Sequence, residues 1–333
     1  MLDQVLADLL EQTPLPGAEG AFLAAASRTS TQLLLVVGRK SDAPALLERL
    51  FSAPAEVLER DPIARGCVNM SRAYVALAEA DSFEYARHNR VAREAFMQAG
   101  DLRTSTTLSA NIGYAAMTLG DLEASENALR EALVSASRMG LRRIEGMVRH
   151  NLGLLLARRG QFEEAERVER EALDSLEAQG DLRLAAYARA YLADILRLAG
   201  KTAEALERAR DTFDRAGAFP GPRAYARTVA AASMLELGDA AGALSAINDA
   251  VAIIEQAGGA EDGDAFMRWV HARALEASGD VAAARAAALD AERRLRERAA
   301  RLPDDAARAR FFDAMPEHAG TLAIADRLRK GEE

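Results

Sequence analysis

Residues 150–173 read HNLGLLLARRGQFEEAERVEREAL, and residues 110–133, forty positions earlier, read ANIGYAAMTLGDLEASENALREAL. Both place Asn-x-Gly near the start, Gly in the middle and Arg-Glu-Ala-Leu at the end. Glycines stand at 100, 120, 140, 160, 180 and 200, and turns of one kind return at Gly238 (LGDAAG) and Gly279 (SGDVAA). Glycine enters the left-handed backbone region without strain and is favoured just past a helix end, so this spacing punctuates a run of helices. A chain that stops a helix every twenty residues is confined to stacked helical hairpins.

The segments between the turns carry helical periodicity. Leu152, Leu155 and Leu156 share one face, as do Ala165, Val168 and Ala172 in the next segment. Neither helix of such a pair buries its apolar face alone, so consecutive units must stack. Each helix has room for roughly 17 residues, or about 25 Å. Half of the 333 residues are hydrophobic, which supplies ample surface to bury. Ala and Leu dominate beside Glu and Arg, residues that lose little side-chain freedom in a helix. Long runs of Val, Ile and Thr are missing, and with them the material for a large sheet.

Two helical repeat families compete at this length, HEAT repeats near 40 residues and tetratricopeptide repeats near 34. Small residues separate them. Gly113 and Gly153 sit seven positions before the turn glycine, where two helices must approach closely. Ala165 and Ala172 sit five and twelve positions after it, and the earlier copy has Ser125 and Ala132 there. The pattern resembles the tetratricopeptide repeat in its longer, kinesin-light-chain-like form. Later copies keep Ala193, Ala231 and Ala272 at the close-approach site and depart at Thr212, where alanine is expected. The expected fold is an all-α, right-handed superhelical solenoid. Residues 62–301 would form the repeats, with a turn at Ala80-Asp81-Ser82 one residue longer than the others. Residues 1–61 would hold a capping helix and a degenerate pair broken by Pro44 and Pro54. Residues 302–333 would supply two short capping helices beginning at Pro303 and Pro316 and covering the last repeat.

A narrower resemblance rests on NIGYAAMTLGDLEASENALREAL, RMGL, HNLGLLLARRG, YLADILRLAG, GPRAYA and the tail RARFFDAMPEHAGTLAIA. Over roughly residues 62–326 the chain is similar to the C-terminal repeat region of large bacterial serine/threonine protein kinases and related multidomain regulators. That resemblance implies a partner-binding role. The kinase elements Val-Ala-x-Lys, His-Arg-Asp and Asp-Phe-Gly do not occur, so kinase chemistry does not carry over.

Other classes find little support. The net charge of −9 lacks the basic excess of a nucleic-acid binder. Cys67 is the single cysteine, so no intrachain disulfide forms and a reducing compartment is permitted. The start MLDQVLADLLEQ has no basic n-region, and the most apolar stretch, LLLVV at 33–37, is far too short for a bilayer, so a cytoplasmic, non-membrane protein is expected. GRKS at 38–41 lacks the glycine spacing of a phosphate loop. His88, His150, His271 and His318 show no ligand spacing, and EDGD at 261–264 lacks the remaining positions of a calcium loop. No catalytic set, cofactor or metal is assigned, and the chain is expected not to be an enzyme.

Candidate contacts instead fall on the first helix of each unit, which lines the concave face in tetratricopeptide solenoids. Asn111 and Asn151 are 40 apart and resemble the asparagines that hold a peptide backbone there; an amide supplies both donor and acceptor. The alternative is that they bond the adjacent helix. Tyr191 takes the next equivalent place. Tyr114, His150, Tyr187, Asp194, Arg197, Phe266, Trp269 and Arg273 are expected on or near the same face, with Phe266 and Trp269 as an aromatic anchor or as core. Arg103, Arg143, Arg183 and Arg223 form a ladder that either grips acidic groups or caps carbonyls and pairs with neighbouring glutamates. The function expected is a non-catalytic scaffold for a protein or peptide partner in bacterial signalling. Self-association into a homo-oligomer is the first alternative, and a regulatory region separated from a kinase or ATPase module is the second.

Overall fold

The computed structural model describes residues 2–11, 13–14, 17–33, 40–259 and 262–330; residues 34–37 of LLLVV, Gly38 and Arg39 of GRKS, and Glu261 of EDGD lie outside them. Among the described residues there are eighteen α-helices and no strand. Two compact units result, Met1–Ala115 and Ala116–Glu333, and the division falls inside one helix.

The first unit holds α1 (Leu2–Glu11), α2 (Glu19–Thr31), α3 (Pro44–Phe51), α4 (Ala55–Arg60), α5 (Pro62–Ala78), α6 (Ser82–Gln98) and most of α7 (Leu102–Thr118). Its core gathers Leu9, Leu23, Ala26, Leu46, Leu50, Ala64 and Val68, so α1 to α3 close onto α5 rather than standing apart. Pro44 opens α3, and Pro54 directly precedes α4. Ser27 Oγ donates to the carbonyl of Cys67 at 3.0 Å. Burial pushes the Cys67 thiol up to about 11, which leaves it protonated and unreactive near neutrality.

The connections explain the regular spacing. A helix ends, a glycine turns left-handed, and at several turns an aspartate caps the next helix, whereas Leu141, Gln161 and Lys201 at the cap position make no side-chain cap. Gly120 has φ 80° and Gly180 φ 71°. Asp121 and Asp181 then accept from the amides of Ala124 and Leu184, satisfying donors that the first helical turn leaves open. The turn after α5 corrects the expectation that it is one residue longer. It has the same length, and Ala80 occupies the glycine position at φ 55°.

The second unit continues with α8 (Leu122–Arg138), α9 (Arg142–Arg158), α10 (Phe162–Ala178), α11 (Leu182–Leu198), α12 (Thr202–Arg215), α13 (Pro220–Glu236), α14 (Ala240–Gln256), α15 (Asp264–Ala277) and α16 (Val281–Ala299). It ends with α17 (Asp305–Asp313) and α18 (Pro316–Lys330). Each odd helix from α9 to α15 packs on its own partner, and those from α9 to α13 also pack on the next odd helix. The consequence shows in burial. α9, α11 and α13 each bury eleven residues, against three to five for α10, α12 and α14, so the odd helices form an inner layer.

The tail departs from its expected course. Pro316 opens α18, but Pro303 stands two residues before α17, whose cap is Asp304 accepting from the Ala307 amide. α18 does cover the last hairpin, with Ile324, Ala325 and Leu328 against Ala272, Ala284 and Ala288. α17 lies elsewhere, against the turn before α8. A Cβ on Gly120 would stand 2.4 Å from the carbonyl oxygen of Arg310 and 3.1 Å from Cβ of Ala314.

Candidate functional site

Close packing of the inner helices depends on small residues. Ala193, Ala231 and Ala272 are fully buried, and a Cβ on Gly153 would lie 2.3 Å from Oε2 of Glu169 on α10. That approach places side chains of the inner helices in ring contact. His150 of α9 stacks on Tyr191 of α11 with centroids 4.4 Å apart. Tyr191 meets Tyr225 of α13 at 5.1 Å, Tyr225 meets Phe266 of α15 at 5.9 Å, and Phe266 meets Trp269 at 6.4 Å. One aromatic row therefore crosses four consecutive inner helices.

Charged groups border the row. Arg197 donates through Nε and Nη2 to Oδ1 of Asp194 at 2.9 and 2.7 Å, and through Nη1 to Glu236 at 2.9 Å. Its guanidinium lies over the Phe266 ring, 5.2 Å from the centroid. Tyr225 Oη donates to the other oxygen of Asp194 at 3.1 Å, and Tyr191 Oη donates to Asp262 at 2.5 Å. Burial, helped by Asp194, raises the Tyr225 phenol well above its usual range, so it stays a donor. His150 Nδ1 stands 2.7 Å from Oε1 of Glu169, which is wholly buried and whose Oε2 has no hydrogen-bond partner. Burial pushes the Glu169 carboxyl up, against the pull of His150.

The C-terminal corner meets this layer through one ion pair. Arg158, at the end of α9, donates through Nη1 and Nη2 to the two oxygens of Glu317, both at 3.0 Å. Burial would raise the Glu317 carboxyl, but the Arg158 guanidinium outweighs it and holds it down to about 2. Between corner and inner layer lies a cavity of about 200 Å³ lined by Arg158, Asp194, Arg197, Phe266, Trp269 and Glu317, among others. On the far side of Trp269 a more open hollow of about 740 Å³ is bordered by Leu235, Arg273, Glu276 and Arg327. The smaller cavity has no Ser, Thr, Cys or His in its lining, and among the described residues no group of three or more His, Cys, Asp or Glu is placed to hold a metal. The arrangement offers paired charges, ring faces and hydroxyl donors. Such groups can engage both polar and apolar parts of a ligand.

The expected site residues are thus partly gathered and partly not. His150, Tyr187, Tyr191, Asp194, Arg197, Phe266, Trp269 and Arg273 all belong to the inner layer of the second unit, and Arg273 lies over the Trp269 ring at 4.8 Å. Most of them are not open to solvent. His150, Asn151, Tyr187, Tyr191, Asp194 and Phe266 are all buried, none more than 8% exposed, because the rings cover one another and the corner closes over part of them. The two asparagines differ. Asn111 in the first unit donates to Oδ1 of Asn89 at 3.2 Å, a helix-to-helix bond rather than a free amide. The Asn151 amide is tied to no other described residue. Tyr114 stands edge-on to Tyr85 in the first unit.

The arginines that recur every 40 residues do not act alike. Arg103 is exposed, Arg143 pairs with Asp181 at 2.6 Å, Arg183 lies over the Tyr187 ring and Arg223 over the Phe213 ring. Among these contacts are one aspartate and two rings. Tyr225, Arg158, Asp262 and Glu317 were not singled out by sequence. Tyr225 left a signal: Tyr187, Tyr225 and Phe266 each stand thirteen positions before a turn glycine, Gly200, Gly238 and Gly279. The unit between the first two glycines is two residues short, and a fixed period of 40 misses the match.

No protein-family model matches the sequence, and no curated protein matches it. Solved structures do. A Rap protein complexed with competence and sporulation factor aligns over 99% of this chain and 91% of its own, with TM-score 0.68 and 15% identity. NprR in complex with its cognate peptide NprX aligns over 83% and 78%, with TM-score 0.64 and 14% identity. The Rap conjugation gene regulator of plasmid pLS20, in complex with the Phr* peptide, aligns over 99% and 94%, with TM-score 0.59 and 10% identity. The chain has a tetratricopeptide-like helical-repeat fold. Its expected all-α solenoid class stands, and among the described residues no helix is long and apolar enough to cross a membrane.

Proposed function

We propose that this chain is a non-catalytic peptide receptor of a bacterial signalling system, and that the peptide binds on the inner layer of the second unit. The row from His150 through Tyr191, Tyr225 and Phe266 to Trp269 carries the reading. It supplies ring faces for apolar side chains, while Asp194, Arg197 and Asp262 supply charges and Asn151 an untied amide beside His150. An extended peptide needs this combination of donors, acceptors and apolar pockets along a line. Two solved structures of similar fold, NprR and the pLS20 regulator, are complexes with peptides, and the Rap protein is complexed with competence and sporulation factor, which supports a bound peptide ligand here. The resemblance to the repeat regions of bacterial kinases agrees with a regulatory rather than chemical role.

The test is selection of a random heptapeptide pool on the immobilised full chain. Enriched sequences, made synthetically, are expected to bind saturably and to protect α9 to α15 from hydrogen exchange. Asn151→Ala should weaken them about fivefold, the value of one lost hydrogen bond, with the melting temperature unchanged. No enrichment over blank support, or protection confined to other helices, would sink the reading.

A further inference from the structure

We propose that α17 and α18 form a strap across the inner cavity of the second unit, fastened by Arg158 and Glu317 and able to open as one piece. Its importance for ligand entry rests on the peptide-receptor reading; its existence as an opening element does not.

Two ends with different chemistry define it. The far end is anchored apolarly, since Ile324, Ala325 and Leu328 are buried against α15 and α16. The near end is docked by separate polar and steric contacts on helices much earlier in the chain. Arg158 and Glu317 form a two-pronged pair there, and both side chains are close to fully buried. The second contact is steric. Gly100, Gly140, Gly160, Gly180, Gly200, Gly238 and Gly279 would each accept a Cβ with nothing within 4 Å. Gly120 alone among these turn glycines is covered, and what covers it is backbone of α17, at the Arg310 carbonyl. Third, α17 and α18 are joined to each other rather than only to the repeats. His318 Nδ1 donates to the Phe311 carbonyl at 2.7 Å, and the two rings stand 4.3 Å apart.

Beneath the strap lies the cavity bounded by Arg158, Asp194, Arg197, Phe266 and Trp269, with Pro316 and Glu317 as its cover. A hydrophobic anchor at one end and an ion pair at the other divide the work. Ion pairing in a buried setting gives geometric specificity with little net gain, because desolvation offsets the attraction. Such a fastening releases more readily than a packed apolar seam does, and releasing it uncovers the charged end of the aromatic row.

The molecule carries its own reporter. Trp269 is the single tryptophan, and α18 rests on it so closely that a Cβ on Gly320 would stand 2.5 Å from the indole nitrogen. The experiment is acrylamide quenching of Trp269 together with hydrogen exchange on the full, ligand-free chain. In Glu317→Gln the quenching constant should rise at least twofold and amides of residues 305–320 should exchange at least tenfold faster, with α9 to α16 unchanged. Gly120→Ala should do the same. Gly160→Ala, which carries the same left-handed strain in open space, should not. Two outcomes overturn the proposal: no change at Trp269 and in the strap in both variants, or faster exchange spread evenly over α9 to α16. Since no peptide enters the measurement, failure of peptide binding would sink the receptor reading and leave the strap standing.

Discussion

His150 lies flat on Tyr191 from the neighbouring inner helix, planes 16° from parallel, while its Nδ1 holds Glu169 from behind. One imidazole thus joins the aromatic row to a carboxylate with no exposed surface. Removing one partner of a buried polar pair leaves the other uncompensated, whereas replacing both by apolar groups is often neutral. His150→Leu should therefore cost about 3 kcal/mol in urea unfolding, and the double variant His150→Leu with Glu169→Leu should recover most of it. A single variant as stable as the parent would show that the pair is already relieved by solvent.

Ala80 gives a test in the opposite direction. Its φ of 55° puts an alanine where the equivalent turns use glycine. The left-handed conformation costs an L-residue roughly 1–2 kcal/mol, and the extra freedom of glycine in the unfolded chain returns part of that. Ala80→Gly is expected to raise stability by roughly 0.5–1 kcal/mol, measurable as a higher urea midpoint at unchanged slope. A loss of stability would mean that the alanine methyl makes a contact worth more than the strain.

The first unit should weaken in mild acid. Burial first, then the neighbouring Arg87, lowers His88 from 6.5 to about 4. Its Nδ1 donates to Asn69 while Nε2 accepts from Arg87, an arrangement that suits the neutral ring. With the folded pKa below the unfolded one, the unfolded chain binds the extra proton between pH 6.5 and about 4. Stability from this group is complete above pH 6.5 and falls as pH drops through that window, by on the order of 2 kcal/mol. Unfolding at pH 7 and pH 5 should show a smaller difference in His88→Gln than in the parent. Equal differences would remove His88 from the account.

Gly153 and Gly160 separate crowding from backbone strain. Gly153→Ala forces a methyl against Glu169 and should cost about 1–3 kcal/mol through overpacking. Gly160→Ala has open space but φ 76°, so its cost of about 1 kcal/mol comes from conformation alone. Calorimetry on the two variants should rank Gly153→Ala as the less stable. The reverse order would place the close approach elsewhere.

What the sequence revealed and what it hid have separate physical causes. Turn glycines, capping aspartates and small residues at helix crossings act over a few positions, so the evenly spaced glycines from Gly100 to Gly200, with Gly238 and Gly279, locate most of the repeat turns. The inner-layer residues were found for the same reason, since helical periodicity assigns a face. Ala80 was misjudged because its turn lacks the glycine that marks the rest. Burial of the site was not legible, because part of it comes from a tail that returns to Arg158, 159 positions before Glu317. Nothing in ARRG or PEHAG marks Arg158 and Glu317 as partners, and nothing local distinguishes Gly120 from Gly160.

The fastening also constrains how such a chain can change through evolution. A stack of hairpins ordinarily tolerates the gain or loss of a unit, because each unit touches only its neighbours. Here Glu317 must reach Arg158 and α17 must reach Gly120, so the hairpins between α9 and α18 are counted by their own end. Deleting residues 161–200, one full period, would leave every local turn intact and still move the buckle away from its hole. The repeat number of the second unit is fixed by closure, as the number of links is fixed in a bracelet made to one wrist.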